Sequence, residues 1–283
     1  MLQHFLQGLR HYLLALQFFT RVPVTGSIAQ WVGFSPAMLR ASSAHFPGVG
    51  WLVGLWGAGV YGLLMLGLAP SPWASLVAAV LCTAATAQMT GGFHEDGLAD
   101  VADGLGGSAE SERALDIMKD SRLGAYGAMT LVLALLAKIS LLALLGGLTP
   151  HIGLIPVLLL IVASHVLSRF APLWLIRFLP HVGDTARSKS KPLADQISGR
   201  ALLVASLWAA PALLLLSLYV SWWTPLAALL AGSLVTFRMA RWFQRRLAGF
   251  TGDCLGAVQQ ISEISVYLAV ALLWSALQRA ATL

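Results

Sequence analysis

Negative charge is scarce in this chain. Its 283 residues hold only twelve Asp and Glu against eighteen Lys and Arg, and charged residues of both signs make up 11%, where a soluble domain runs near a quarter. A chain this poor in charge cannot clothe a core of its own size in a polar shell, which excludes a soluble globular domain. Cysteine is rarer still. Cys82 lies in an apolar run and Cys254 in a polar segment, so a disulfide framework and a Cys-x-x-Cys metal site are both excluded, and both residues are read as unpaired thiols. Residues 1–19 lack a small-residue cleavage site and carry polar side chains throughout, so no cleavable signal peptide is expected. Low-complexity tracts, a separate soluble domain and internal repeats are also missing.

Apolar sequence fills the space that charge leaves. Hydrophobic residues make up 58% of the chain and mean hydropathy is +0.77. Several runs approach the ~20 residues needed to cross a hydrocarbon core. The expectation is an all-α, polytopic integral membrane protein forming a single domain over residues 1–283. About seven transmembrane helices are placed at 48–68, 73–92, 125–145, 152–176, 201–221, 225–243 and 264–277. Before them, Leu6, Leu9, Leu13 and Leu16 recur at helical spacing among Gln7, Arg10 and His11. That pattern predicts an amphipathic helix on the membrane surface, with a short or re-entrant span as the alternative.

The basic residues alternate along the chain. Links 69–72, 146–151 and 222–224 contain no Lys or Arg, whereas Arg10, Arg21, Arg40, Arg113, Lys119, Arg122, Arg177, Arg187, Lys189, Lys191, Arg200, Arg241, Arg245 and Arg246 occupy the other connections. By the positive-inside rule the charged loops face the cytoplasm and the bare links lie outside, with the C-terminus outside as well. The same rule accounts for the net charge of +6 without nucleic acid. The ten Trp residues fit interfacial belts.

The negative charge is not merely scarce but gathered. Eight of the twelve acidic residues lie between Glu95 and Asp120. Asp96, Asp100 and Asp103 fall at i, i+4 and i+7, which places them on one narrow helix face. Like charges so aligned repel, and a cation relieves them; carboxylate oxygens suit Mg²⁺ or Mn²⁺. The plainer alternative is a solvated acidic loop between apolar segments.

Asp100-Val-Ala-Asp103-Gly104, followed by Asp116-Ile-Met-Lys-Asp120, resembles in part the signature of CDP-alcohol phosphotransferases, but the expected Ala-Arg pair after the first glycine is absent. A second resemblance is much closer. Gly91-Gly92-Phe93-His94-Glu95-Asp96-Gly97-Leu98-Ala99-Asp100, then Asp103-Gly104, Ile117-Met118-Lys119-Asp120-Ser121-Arg122-Leu123-Gly124, Phe46-Pro47-Gly48-Val49-Gly50, Ser168-Arg169 and Phe250-Thr251-Gly252-Asp253-Cys254-Leu255-Gly256-Ala257 resemble the cobalamin synthase family of adenosylcobinamide-GDP ribazoletransferases. The blocks run from residue 46 to 257. The resemblance implies a transferase of the bacterial inner membrane with its active site on the cytoplasmic side. Its substrates would be adenosylcobinamide-GDP and α-ribazole or α-ribazole 5′-phosphate, and GMP would leave. It also implies Mg²⁺, or Mn²⁺, on Asp96, Asp100, Asp103 and Asp120, one of which could instead serve as general base. Partners beyond these substrates and the bilayer are not indicated, and a homo-oligomer is left open.

Other residues carry two readings each. Lys119 and Arg122 either hold diphosphate oxygens or pair with the nearby acids. His94 either orients the site or fills a structural role. Arg169, in an apolar span, either contacts phosphate or the corrinoid or snorkels to the helix end. Asp253 either binds a ribose or caps a helix. Lys138 has no evident partner and no assigned role, and Asp116 reads as a solvated position. Loop 187–200 reads as a basic flap facing nucleotide or lipid headgroups. Two other functions remain as alternatives: a CDP-alcohol-type enzyme making a phospholipid, and a divalent-cation transporter, which would more often place carboxylates near the bilayer midplane.

Overall fold

The structure is a computed structural model that describes residues 2–182 and 197–281. In chain order the helices are α1 (Leu2–Phe19), α2 (Gly26–Val32), α3 (Pro36–Ser42), α4 (Phe46–Gly67), α5 (Ala74–Thr90), α6 (Phe93–Gly107), α7 (Ser111–Met118), α8 (Ala125–Gly147), α9 (Thr149–Ile152), α10 (Leu154–Phe170), α11 (Pro172–Phe178), α12 (Gly199–Tyr219), α13 (Trp223–Leu247) and α14 (Gly252–Ala281). Among the described residues the only extended pairing is an isolated bridge between His181 and Phe250. Arg187, Lys189 and Lys191 of the expected basic flap lie outside the described residues.

Among the described residues, six helical stretches are long and apolar enough to cross a membrane: Pro36–Gly67, Ala125–Gly147, Leu154–Phe178, Gly199–Tyr219, Trp223–Leu247 and Gly252–Ala280. A seventh comes from α5 and α6 taken as a pair bent by 90°. The chain is therefore an all-α, multi-pass membrane protein. The α10–α11 stretch is the central post, 72% buried, while α8 and α13 are only 17% buried and stand outside it. Leu133, Leu136 and Leu144 on α8 and Leu203, Leu207, Leu214 and Leu218 on α12 are exposed, as a lipid-facing surface requires.

Close packing at the centre depends on small residues. A Cβ on Gly50 would lie 2.5 Å from the His165 carbonyl oxygen, and one on Gly54 would lie 2.8 Å from Val162 Cα. This small-xxx-small pair lets α4 and α10 touch backbone to backbone. The Phe46–Gly50 block is thus a helix entry, with Pro47 in the first turn of α4.

Two expected spans differ in kind from what forms. Region 73–92 becomes the 17-residue α5, about 25 Å long, and ends at Gly91 and Gly92, both with φ near +70°. These left-handed glycines turn the chain through a right angle. Beyond them α6 carries Glu95, Asp96, Asp100 and Asp103; so many carboxylates are costly in hydrocarbon, and α6 runs across the end of the bundle. The last span was expected at 264–277, yet α14 begins at Gly252 and has 30 residues. Its polar early turns looked like loop because Gln259, Gln260 and Glu263 lower local hydropathy. They are buried because α6, α8 and α10 present polar groups to them.

α1 forms as the amphipathic helix expected at the N-terminus. Leu14, Ala15 and Leu16 are buried against the bundle, while Leu2, Phe5, Leu6 and Leu9 are exposed. It is not among the candidate spans.

Candidate functional site

The acidic helix α6 crosses the start of α14 at nearly van der Waals contact. A Cβ on Gly97 would lie 2.9 Å from the Asp253 carbonyl oxygen, and one on Gly256 would lie 3.2 Å from the His94 carbonyl oxygen. Each glycine is needed because the other helix's backbone occupies that space. The crossing brings Asp253 to Asp96 and Asp100. Asp100 is half-buried, and its carboxyl is pushed up to about 7, first by burial and then by Asp253, Asp96 and Asp103. Asp253 lies within the first turn of α14 rather than at its cap. Thr251 takes the capping position, with Oγ1 accepting from the Cys254 N–H at 3.4 Å.

The other two predicted carboxylates are engaged elsewhere. Asp103 accepts the backbone N–H of Gly124 at 2.7 Å and of Gly127 at 2.8 Å, one on each oxygen. It therefore closes the otherwise open N-terminus of α8. A side chain at Gly124 or Gly127 would collide with that carboxylate. Asp120 is solvent-exposed and held by Arg122, whose Nε donates to Oδ1 at 2.9 Å and whose Nη2 donates to Oδ2. That pairing holds its carboxyl down to about 2. Lys119 stands 3.9 Å from Asp116, both largely exposed.

The gathered donors are thus Asp96, Asp100 and Asp253, with Asp103 adding its field. Among the described residues, no group of three or more His, Cys, Asp or Glu side chains is placed so that it could hold a metal ion. The chemistry of the donor set nevertheless fits a hard cation: every donor is a carboxylate oxygen, and Asp100 is surrounded by like charge. Mg²⁺ commonly takes one or two carboxylates and completes its shell with water and phosphate.

A pocket opens beside this cluster, between the ends of α1 and α10 and the beginnings of α4, α6 and α14. Phe18, Phe19, Phe46, Phe93, His94 and Leu255 form its walls, with Arg169 and Gln259 beneath. The His94 ring stacks on Phe19 at 5.7 Å and 14°, and Phe46 meets Phe19 edge-on at 4.4 Å. His94 is buried within this aromatic cluster.

Below the pocket lies a charge network that the sequence did not reveal. Lys138, which had no evident partner, meets Glu263 at 2.7 Å, both fully buried. Glu263 also accepts from Gln259 Nε2 at 2.9 Å and from the Tyr267 hydroxyl at 3.4 Å. Arg169 donates to the His165 carbonyl oxygen at 3.1 Å and stands 3.1 Å from His165 Nδ1. His165 Nδ1 also lies 3.4 Å from Glu263 Oε2. Gln259 bonds Ser168 at 2.9 Å, while Gln260 donates to Gln259 at 2.9 Å and to Glu95 at 3.1 Å. The network therefore runs from α8 through α14 to Glu95, the neighbour of Asp96. Arg169 Nε and Glu95 Oε2 have no partner among the described residues. Glu263, Gln259 and Gln260 went unnoticed in sequence; the visible signal was Gln259, Glu263 and Tyr267 at i, i+4 and i+8, one helix face leading into an apolar run.

Comparison with known proteins agrees with this arrangement. A family model described as cobalamin-5-phosphate synthase matches residues 11–271. Three similar proteins are each named adenosylcobinamide-GDP ribazoletransferase. That of Polaromonas naphthalenivorans is 56% identical over 94% of this chain and 99% of its own length. That of Leptothrix cholodnii is 46% identical over 92% and 94%, and that of Vibrio cholerae 44% identical over 91% of each. No solved structure matches the chain. The match spans both the acidic helix and the start of α14, and it favours neither phospholipid synthesis nor ion transport: the chain belongs to the cobalamin-5-phosphate synthase family.

Proposed function

We propose that this protein joins an α-ribazole unit to an activated corrinoid at the cytoplasmic face of a bacterial inner membrane. A free ribose hydroxyl oxygen of the acceptor, one that is unesterified in α-ribazole and in α-ribazole 5′-phosphate alike, attacks the corrinoid-linked phosphorus of adenosylcobinamide-GDP. A new O–P bond forms, the bond from that phosphorus to the bridging oxygen breaks, and GMP departs with the bonding pair. The hydroxyl proton passes to a carboxylate of the acidic cluster. The cytoplasmic placement is supported by the alternation of basic and bare loops in the sequence.

The observation that carries this reading is the convergence of Asp96, Asp100 and Asp253 where α6 crosses α14, in a chain matched along nearly its whole length by ribazoletransferases. Asp96, Asp100 and Asp253 would hold Mg²⁺, which when bound neutralises phosphate charge in phosphoryl transfer. Asp103 keeps the start of α8 closed against α6 and acts on the site through its field. Arg169 supplies a fixed positive charge beneath the pocket, and exposed Arg122 offers a second guanidinium to the diphosphate. Purified protein in liposomes tests the reading. GMP release that requires adenosylcobinamide-GDP, α-ribazole and Mg²⁺ together is expected; GMP release without acceptor, or none with all three, rejects it.

A further inference from the structure

Helix α13 is the least apolar of the six candidate spans and stands outside the central post, so most of its surface meets lipid. On that surface Arg238, Arg241 and Arg245 are all exposed. Their i, i+3 and i+7 spacing puts them within about 60° of one another. Among the described residues no carboxylate pairs with any of them. Arg246 lies about 80–140° further round the helix and turns inward, donating to the carbonyl oxygens of Leu105 and Ser108 at the end of α6. The face bearing the other three is turned from the acidic helix toward the bilayer.

Two hollows meet on this face. One, of about 510 Å³, runs between α11 and α13; Trp174, Phe178, Phe237 and Ala240 make its walls apolar, and Arg241 and Gln244 stand at its end. The other, of about 560 Å³, holds Arg238, Arg241 and Arg245. Arg241 and Phe237 line both, with the guanidinium carbon 5.7 Å from the ring centroid. The guanidinium thus stands where the apolar groove gives way to the basic one. Depth agrees with this division. Trp222 and Trp223 are exposed at the start of α13, as at a membrane interface. Arg241 follows Trp223 by eighteen residues, about 27 Å along the axis, close to the ~30 Å of a hydrocarbon core. From Ser233 to Gln244 the apolar groove covers about 16 Å, one leaflet's share.

We propose that this groove seats one anionic phospholipid of the leaflet at the C-terminal end of α13. Its phosphate meets Arg238, Arg241 and Arg245, and an acyl chain lies between Trp174, Phe178 and Phe237. The forked guanidinium matches phosphate oxygens, and the Gln244 amide adds a donor for an ester carbonyl. A free anion would use the arginines and leave the apolar half empty, whereas a lipid fills both. A negative membrane surface attracts every exposed basic side chain; the groove continuous with these three is what singles them out. The proposal goes beyond the transferase reading and does not depend on it, since it needs only a chain that crosses a membrane.

Full-length protein in a neutral detergent is titrated with phosphatidylglycerol and, separately, with phosphatidylcholine of the same acyl chains, and bound lipid is counted by native mass spectrometry. One retained phosphatidylglycerol is expected, held at least about tenfold more tightly than phosphatidylcholine. Arg241→Gln should weaken it about fivefold, the order expected for one basic side chain at a charged surface, and Arg241→Lys should recover part of that loss. Combining Arg238→Gln, Arg241→Gln and Arg245→Gln should remove the preference. Ser233→Phe, which fills the inner end of the groove without touching charge, should weaken both lipids alike. Arg200→Gln, at an exposed position in the first turn of α12, should bind as wild type does. Equal retention of the two lipids, equal losses in Arg200→Gln and Arg241→Gln, or displacement by inorganic phosphate at the lipid's own concentration overturns the site. So does a triple variant that keeps its lipid while its KM for adenosylcobinamide-GDP rises, which would give the arginines to the substrate.

Discussion

Two groups of charge lie close together in this molecule and are treated in opposite ways. In the deeper group, Lys138 and Glu263 are buried and matched at 2.7 Å, with Gln259 donating to the carboxylate, while Arg169 rests on the His165 carbonyl oxygen with its Nε unpaired. In the outer group, Asp96, Asp100 and Asp253 face one another, and among the described residues no Lys or Arg is paired with them. The consequence appears at Asp100, whose carboxyl is pushed up to about 7. A matched set of charges needs nothing further and holds helices in register. An unmatched set at the end of a bundle calls for a ligand of opposite sign. Proximity to the membrane does not separate framework from site; charge balance does.

The comparison can be broken at either end. The largest effect is expected from Glu263→Gln, which leaves Lys138 charged and buried without its partner. Breaking one side of a buried pair costs about 3–5 kcal/mol, seen as a large drop in thermal midpoint in detergent. Lys138→Met combined with Glu263→Leu should recover much of it. A single variant as stable as wild type would show that the deeper group is not framework.

Next comes the seam that holds the two groups together. Gly97→Ala puts a Cβ 2.9 Å from the Asp253 carbonyl oxygen, and overpacking of this kind costs about 1–3 kcal/mol. Loss of stability together with loss of turnover is expected. An active, stable Gly97→Ala variant would mean that α6 and α14 need not touch.

A smaller effect separates the groups by pH. The folded-state pKa of Asp100 lies above its ordinary value of 3.8, at about 7, so between those limits the folded protein binds more protons than the unfolded chain. Stability in chelator should therefore fall as pH rises from about 4 through about 7. Mg²⁺ should flatten that slope, and Asp100→Asn should abolish it. Thermal melts across this range check both, and a slope indifferent to Mg²⁺ would detach Asp100 from the cation.

Much of this was legible in the sequence, for identifiable reasons. Long apolar runs define spans, so five of the six long helices stand where hydropathy placed them, with ends adjusted by a few residues, while α14 begins at Gly252, well before its expected start at 264. The i, i+4, i+7 spacing put Asp96 and Asp100 on one face. Spacing could not show that Asp103 points the other way, to the backbone of Gly124 and Gly127, because a helix N-terminus twenty residues away is a tertiary partner. Asp253 was visible only as an acid between glycines; its place beside Asp100 follows from the contact of Gly97 with α14. Glu263 was hidden for a different reason. Averaged hydropathy treats a buried ion pair as loop, and only the fold shows that Lys138 on α8 answers it.

The central claim is that the unmatched carboxylates, and not the exposed or matched ones, bind the divalent ion. Electron paramagnetic resonance of Mn²⁺ titrated into purified protein without substrates reads this directly. Wild type is expected to bind Mn²⁺ saturably and in competition with Mg²⁺, Asp100→Asn to bind at least about tenfold more weakly, and Asp120→Asn to bind as wild type does. Undiminished binding in Asp100→Asn, or loss of binding in Asp120→Asn alone, would contradict the account.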